Sequence, residues 1–180
     1  RFIVEPFENG FGTTIGNSLR RILLSTIEGS AITSIRVKGA EHEFCTIEGV
    51  KQDMVDIVLN VKGLVVVVDS DAPKVLRLSA SGPGEVTADL IEADTTVTVF
   101  NPDHVIATLT DEVDFEMELT IERGRGYVPA AEQYATKDEQ IIGDLPIDAS
   151  FSPVQRVRYR VENTRVGQQT NFDRLILDIW

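Results

Sequence analysis

Cysteine is almost absent from this chain of 180 residues. The single Cys45 rules out an intramolecular disulfide and suits a reducing compartment. Histidine is nearly as scarce: His42 and His104 stand far apart, and no grouping has the spacing of a zinc site. A G-x-S-x-G nucleophile elbow is missing, and neither histidine is placed by sequence to activate Cys45. The turn Gly82-Pro83-Gly84 lacks the G-x-x-x-x-G-K-S/T pattern of a phosphate loop. Acidic residues are plentiful but scattered, without the D-x-D-x-D type of cluster that a two-metal centre draws on. These absences leave no candidate catalytic residue, metal site or cofactor, so an enzyme reading has no constellation to stand on.

Positive charge is also in short supply. Seventeen Lys and Arg face 29 Asp and Glu, a formal net charge of −12. Such a chain is repelled by phosphate backbones within a Debye length of about 8–10 Å, which argues against tight non-specific nucleic-acid binding. Long apolar runs are missing too. Leu64 to Val68 is the longest, far short of the ~20 residues a spanning helix needs, so no membrane segment is expected. Repeats, low-complexity tracts and coiled-coil heptads are absent. What remains is ordinary for a globular protein, 42% apolar and 26% charged. Residue 1 is Arg rather than Met, so the chain is expected to start downstream of its true N-terminus, with a cleaved leader left open.

The segment Gly10-Phe11-Gly12-Thr13-Thr14-Ile15-Gly16-Asn17-Ser18-Leu19-Arg20-Arg21-Ile22-Leu23-Leu24-Ser25 is the most informative present. A glycine turn leads into a helix predicted over about Thr13 to Glu28. Ile15, Leu19, Ile22, Leu23 and Ile27 fall within a sector of roughly 140°, with Arg20 and Arg21 outside it or at its edge. Thr13 or Thr14 is expected to cap the first turn and Gly29 to end the last. A second helix is predicted from about Glu48 to Val61, stopped by Gly63.

Most of the rest reads as strand. Phe115, Met117, Leu119 and Ile121 alternate with Glu116, Glu118, Thr120 and Glu122, one face buried and one wet. Val97 and Val99 alternate likewise with threonines. Val75-Leu76, Val105 to Leu109, Ile32 to Val37 and Leu175 to Ile179 are shorter candidates. Turns are expected at Ser81-Gly82-Pro83-Gly84, Asn101-Pro102-Asp103 and Gly124-Arg125-Gly126. Ala130 to Glu139 is polar and aperiodic and reads as a mobile surface loop. Strand outweighs helix without regular alternation, so the expected fold class is α+β with antiparallel sheets.

Two basic motifs stand out against the acidic background. Gly124-Arg125-Gly126-Tyr127 reads as an exposed turn, or as a weak RNA-binding element. In the strand Val154 to Val161, Val157, Tyr159 and Val161 share one face, and Arg156, Arg158 and Arg160 the other. Arginines repeating every ~7 Å repel unless carboxylates or solvent screen them. They meet either this chain's surplus carboxylates or an acidic surface on another subunit. A stand-alone nucleic-acid module built on Arg123, Arg125 and this stripe is opposed by the net charge.

The glycine turn, opening helix and paired arginines resemble the alpha subunit of bacterial-type and plastid DNA-directed RNA polymerase, in its N-terminal assembly domain. The resemblance continues in order through Glu43-Phe44, Thr46 to Val50, Leu59 to Leu64, His104-Val105-Ile106, Leu109 to Glu112, Arg123 to Pro129, Asp148-Ala149, Ser152-Pro153-Val154 and Phe172 to Leu175.

It implies two lobes. A dimerisation lobe would comprise residues 1–28 and 153–180, and an inserted lobe facing the large subunits residues 29–152. It further implies a non-catalytic homodimer that nucleates assembly of the beta and beta-prime subunits. Dimer contacts fall at Ile15, Leu19, Ile22, Leu23 and Ile27. Large-subunit contacts fall at Arg20, Arg21, Lys62, Gly63, Arg123, Arg125, Tyr127 and Arg158. A cytoplasmic complex is implied, with plastid origin open. DNA would be met only indirectly, because the family's closing helix and C-terminal DNA-binding domain would lie beyond Trp180. Burying the helix's five aliphatic side chains contributes on the order of 8–15 kcal/mol, part of it within the lobe itself. Association costs about 4–15 kcal/mol, so the closing helix is expected to supply the remainder.

Overall fold

A computed structural model describes residues 1–92, 94–136 and 143–180 of the chain. The architecture is α+β, and the described residues group into two compact units. The first joins Arg1–Glu28 to Ser152–Trp180, and the second is Gly29–Phe151. In chain order the first unit opens with β1 (Phe2–Phe7) and α1 (Phe11–Ser25). The next elements are β2 (Glu28–Val37), α2 (Met54–Lys62), β3 (Val66–Val68), β4 (Lys74–Ser81) and β5 (Gly84–Thr87). β6 (Val97–Val99), β7 (Val105–Leu109), β8 (Asp114–Arg125) and β9 (Tyr127–Val128) follow. α3 (Ala130–Thr136), β10 (Asp144–Pro146) and β11 (Ala149–Ser150) complete the second unit, and β12 (Val157–Val166) and β13 (Gln169–Ile179) return to the first.

In the first unit α1 lies on a three-stranded antiparallel sheet of order β1-β13-β12. The helix packs over β12 and β13. Gly12 and Gly16 are its buried residues and set the closeness of that packing. A Cβ on Gly12 would lie 3.0 Å from Val161 Cγ1, and one on Gly16 only 2.6 Å from Tyr159 Cδ2. Residues at i and i+4 share a helix face, so the two glycines form one shallow groove into which the strand side chains fit.

The core of the second unit gathers between α2 and the strands, around Ile35, Met54, Ile57, Val61, Leu78, Ile106 and Leu119. Its main sheet has order β10-β2-β8-β4. β8 shows the alternation read from sequence: Phe115, Met117, Leu119 and Ile121 are buried and the glutamates between them are not.

Several boundaries differ from the expectation. α1 starts at Phe11, with Gly10 at the cap position and no side-chain cap from Thr13 or Thr14. It ends at Ser25, so Ile27 lies beyond it, and Gly29 belongs to β2 instead of closing the helix. The second helix begins only at Met54, because Asp53 caps it by accepting a hydrogen bond from Asp56 N–H. The preceding residues bond outward to β7 instead of to one another: Lys51 N–H donates to Thr108 O, and Val50 bridges Leu109. β12 starts at Val157, not Val154. The supposed loop contains a helix, α3, whose polar seven residues are too few to show a period. Residues 137–139 of that segment lie outside the described residues.

Candidate functional site

On α1, rotation by 100° per residue orders the surface relative to the sheet-facing Gly12. Leu19 and Leu23 lie within about 20° of that direction, and Ile15 at about 60°. All three are half-buried within the unit. Phe11 and Ile22 lie about 80–100° round on the same flank, and they are 54% and 53% exposed. Arg20 lies on the opposite flank, and Arg21 points about 180° away from the sheet. Both arginines are exposed, and neither side chain has an ion-pair partner among the described residues. The helix therefore offers two surfaces: an apolar flank and a bare cationic back.

β1 extends the apolar flank. Its residues Phe2 and Val4 pair in register with Leu177 and Leu175, and cross-strand partners share a sheet face. Leu175 Cδ1 lies against Gly16, so Phe2 and Val4 are on the helix side of the sheet. The helix packs chiefly over β12 and β13, and both residues stay exposed. Of the five residues expected to pair two copies, Ile22 alone is more than half exposed; Ile15, Leu19, Leu23 and Ile27 are half-buried in the unit. The exposed members Phe2, Val4 and Phe11 were not singled out from sequence.

On the other sheet face the arginine stripe resolves into separate environments. Arg160 Nε is 3.3 Å from Glu162, and Arg156 stacks 3.9 Å above the Trp180 ring. Arg158 is exposed and faces Asp178 across the ladder, but that carboxylate is held by Arg1 at 2.7 Å.

In the second unit, three of the expected contact residues converge. Lys62 is the last residue of α2, and Lys62 Nζ donates to Asp148 Oδ2 at 2.8 Å. Asp148 Oδ1 accepts from Ala130 N–H at 3.0 Å, capping α3. Tyr127 lines the same cleft as this carboxylate. Lys62 first, then the Ala130 amide, hold the Asp148 carboxyl below the usual carboxylate range. Tyr127 itself is 61% exposed. Beside it is a cleft of about 190 Å3, lined by Ser30, Leu64, Lys62, Tyr127, Asp148 and Ser150.

Gly63 completes this corner. Its carbonyl accepts from Asn101 Nδ2 at 3.0 Å, and His104 Nε2, necessarily protonated, donates to Asn60 O at 2.7 Å. A Cβ on Gly63 would sit 2.9 Å from the imidazole, so space and not backbone angle requires glycine here. Gly126, at φ 69°, turns the chain between β8 and β9. Arg123 and Arg125 stand exposed at the end of β8, Arg123 within 3.7 Å of Asp71. Neither motif analysis nor periodicity identified Asp148 as the hub of this corner.

A wider cleft of about 640 Å3 runs along the second unit's main sheet. Its basic residues are already paired: Arg36 and Arg77 each reach Glu118 at 3.3 Å, and Lys38 reaches Glu116 at 3.0 Å. Among the described residues no three His, Cys, Asp or Glu side chains are grouped to hold a metal ion, and no helix is long and apolar enough to cross a membrane.

The Lys62–Asp148 contact predicts a pH dependence. A carboxyl whose folded pKa is depressed stabilises above its unfolded value, about 3.9, and loses that contribution as pH falls through the folded value. The pair is partly exposed, so the effect is about 0–1 kcal/mol. Amide exchange at Ala130 is expected to accelerate as pH is lowered below about 4, beyond the intrinsic rate change, and Asp148→Asn is expected to abolish that dependence. An unchanged profile in the variant would contradict the assignment.

Residues 34–152 match the model of the RNA polymerase Rpb3/RpoA insert domain. The whole chain is 54% identical over 180 residues to the DNA-directed RNA polymerase subunit alpha of Rhodopirellula baltica, covering 54% of that protein. It is 54% identical over 179 residues to the subunit alpha of Leifsonia xyli subsp. xyli, covering 99% of this chain and 53% of the relative. Identity to the subunit alpha of Limosilactobacillus reuteri is 48% over 180 residues, covering 57% of that protein. The chain thus spans about half the length of these relatives.

Proposed function

The chain belongs to the RNA polymerase alpha-subunit family that carries the Rpb3/RpoA insert domain, and from that membership we propose that its task is non-catalytic assembly. Two copies dimerise through the first unit. The pair then holds the beta and beta-prime subunits of a DNA-directed RNA polymerase, meeting DNA only indirectly and no membrane. The observation that carries this reading is α1, where an exposed apolar flank and an unpaired Arg21 share one short rod. An exposed apolar surface of this kind favours association. An arginine fork without an internal partner is suited to a carboxylate on a neighbour.

The Lys62, Gly63 and Tyr127 corner supplies a second docking feature. An exposed aromatic side chain beside a formed Lys62–Asp148 pair has the character of an interface anchor. The free, half-buried Cys45 suits the reducing cytoplasm that transcription would require.

The test uses the full-length subunit. Arg21→Ala is expected to leave the dimer intact while recovery of beta in co-purification falls by about tenfold or more, the scale of a lost charge-assisted contact. Normal recovery of beta would refute the role of Arg21.

A further inference from the structure

Resting on the assembly reading above, we propose that Asp173 is a positioning residue for the interaction helix: from the middle strand of the sheet it supplies the N-cap that α1 does not provide for itself, and so fixes where Arg20 and Arg21 stand. The first turn of any helix leaves backbone N–H groups without partners. α1 answers that need with nothing local. Gly10 has no side chain, no residue of the first turn is acidic, and Thr14 Oγ1 bonds back to Gly10 O at 3.4 Å.

Asp173 fills the gap from more than 160 positions away. Asp173 Oδ2 accepts from Gly10 N–H at 2.8 Å and from Gly12 N–H at 3.1 Å. The residue is only 5% exposed. Its in-register neighbours are Phe7 on β1 and Asn163 on β12. The adjacent Arg174 pairs with Glu5 at 2.6 Å, and no cation among the described residues pairs with Asp173. A buried carboxylate without a counter-charge is costly. Here the positive end of the helix dipole takes that place.

This contact fixes more than a helix end. A Cβ on Gly12 would lie 2.9 Å from Asp173 Cβ, so the helix can sit on this residue only through a glycine. One turn on, Gly16 seats against Tyr159 and Leu175. Two anchors on one face set both the axial position and the rotation of the rod. Arg20 and Arg21 follow about 12–14 Å further along the axis, at 1.5 Å per residue. A helix free to slide or fray at its start would carry them out of register with a rigid partner.

The test again uses the full-length subunit, with purified beta as the probe. Asp173→Ala removes the acceptor, whereas Asp173→Asn keeps an oxygen of the same reach, and Asn is itself a good cap. Capture of beta is expected to fall about tenfold in D173A and to stay within about threefold of the parent in D173N. Amide exchange at Gly10 and Gly12 is expected to accelerate in D173A and to remain near parental in D173N. Parental capture by D173A overturns the proposal. Equal losses in both variants also overturn it, because they mark Asp173 as a charge the partner reads directly. If D173A does not fold, Asp173→Ser, whose hydroxyl is too short to reach both amides, takes its place with the same outcomes. Parental capture by Arg21→Ala would refute the role of Arg21 and remove the premise of the positioning role, and an absence of any assembly between the parent subunit and beta would sink the assembly reading itself. Loss in Arg21→Ala with parental capture by D173A sinks only the positioning role.

Discussion

Gly16→Val is expected to unfold the first unit and with it the proposed dimer. A single Cβ at this position would already lie 2.6 Å from Tyr159 Cδ2 and 2.9 Å from Leu175 Cδ1. Valine adds two further methyl groups in a helix, where its χ1 has one strongly preferred rotamer. Overpacking a close-fitted contact costs about 1–3 kcal/mol and sometimes more. The small core under the helix, around Val157, Leu175 and Leu177, has little reserve against such a loss. Gly16→Ala is the more discriminating variant. On an exposed helix face alanine would stabilise by about 1 kcal/mol. Here it is expected to destabilise, lowering the melting temperature of the unit by about 4–8 °C for each kcal/mol lost. A calorimetric scan in which alanine raises that temperature would contradict the groove described for α1.

Leu23→Asp is expected to be nearly as damaging, by a different route. Leu23 faces the sheet within about 20° of Gly12 and is half-buried. Aspartate there loses about 1.5–3 kcal/mol of apolar burial and brings a carboxylate to a site where desolvation is unfavourable without a partner. The outcome is a monomer or an unfolded unit, and light scattering separates both from the parent. An unchanged dimer mass with an unchanged melting curve would show that this face of the helix matters neither to the unit nor to its pairing.

These two positions illustrate how far the sequence could be read. The apolar stripe of α1 and the alternation of β8 are local periodicities, and both are present in the structure. Gly12 and Gly16 are different. In sequence they read as turn chemistry or weak helix formers, because a glycine's use as a packing groove depends on strands about 150 residues away. Helix starts failed for a related reason. α1 and α3 are both capped by aspartates remote in sequence, Asp173 and Asp148. Without those caps the sequence pattern starts α1 late, and the seven residues of α3 read as loop. α2 has a local cap in Asp53, but the apolar spacing ran back through Val50, which in fact bonds to β7.

The residues expected to make contacts divide in the same way. Arg20 and Arg21 could be placed on the outer side of their helix from rotation alone. The meeting of Lys62 and Ala130 at Asp148 could not, since it joins three segments through one carboxylate. Exposure shifted the apolar candidates as well. A helix wheel ranks Leu19 and Leu23 highest, yet those side chains are half-buried against their own sheet, leaving Ile22, Phe11 and the edge strand to face outward.

We propose that a non-catalytic pair of these chains holds two larger subunits together. Native mass spectrometry of the full-length subunit mixed with purified beta and beta-prime tests it most directly. The account predicts a single assembly containing two copies of this chain and one of each large subunit. Persistence of free monomers beside unbound beta and beta-prime would contradict it.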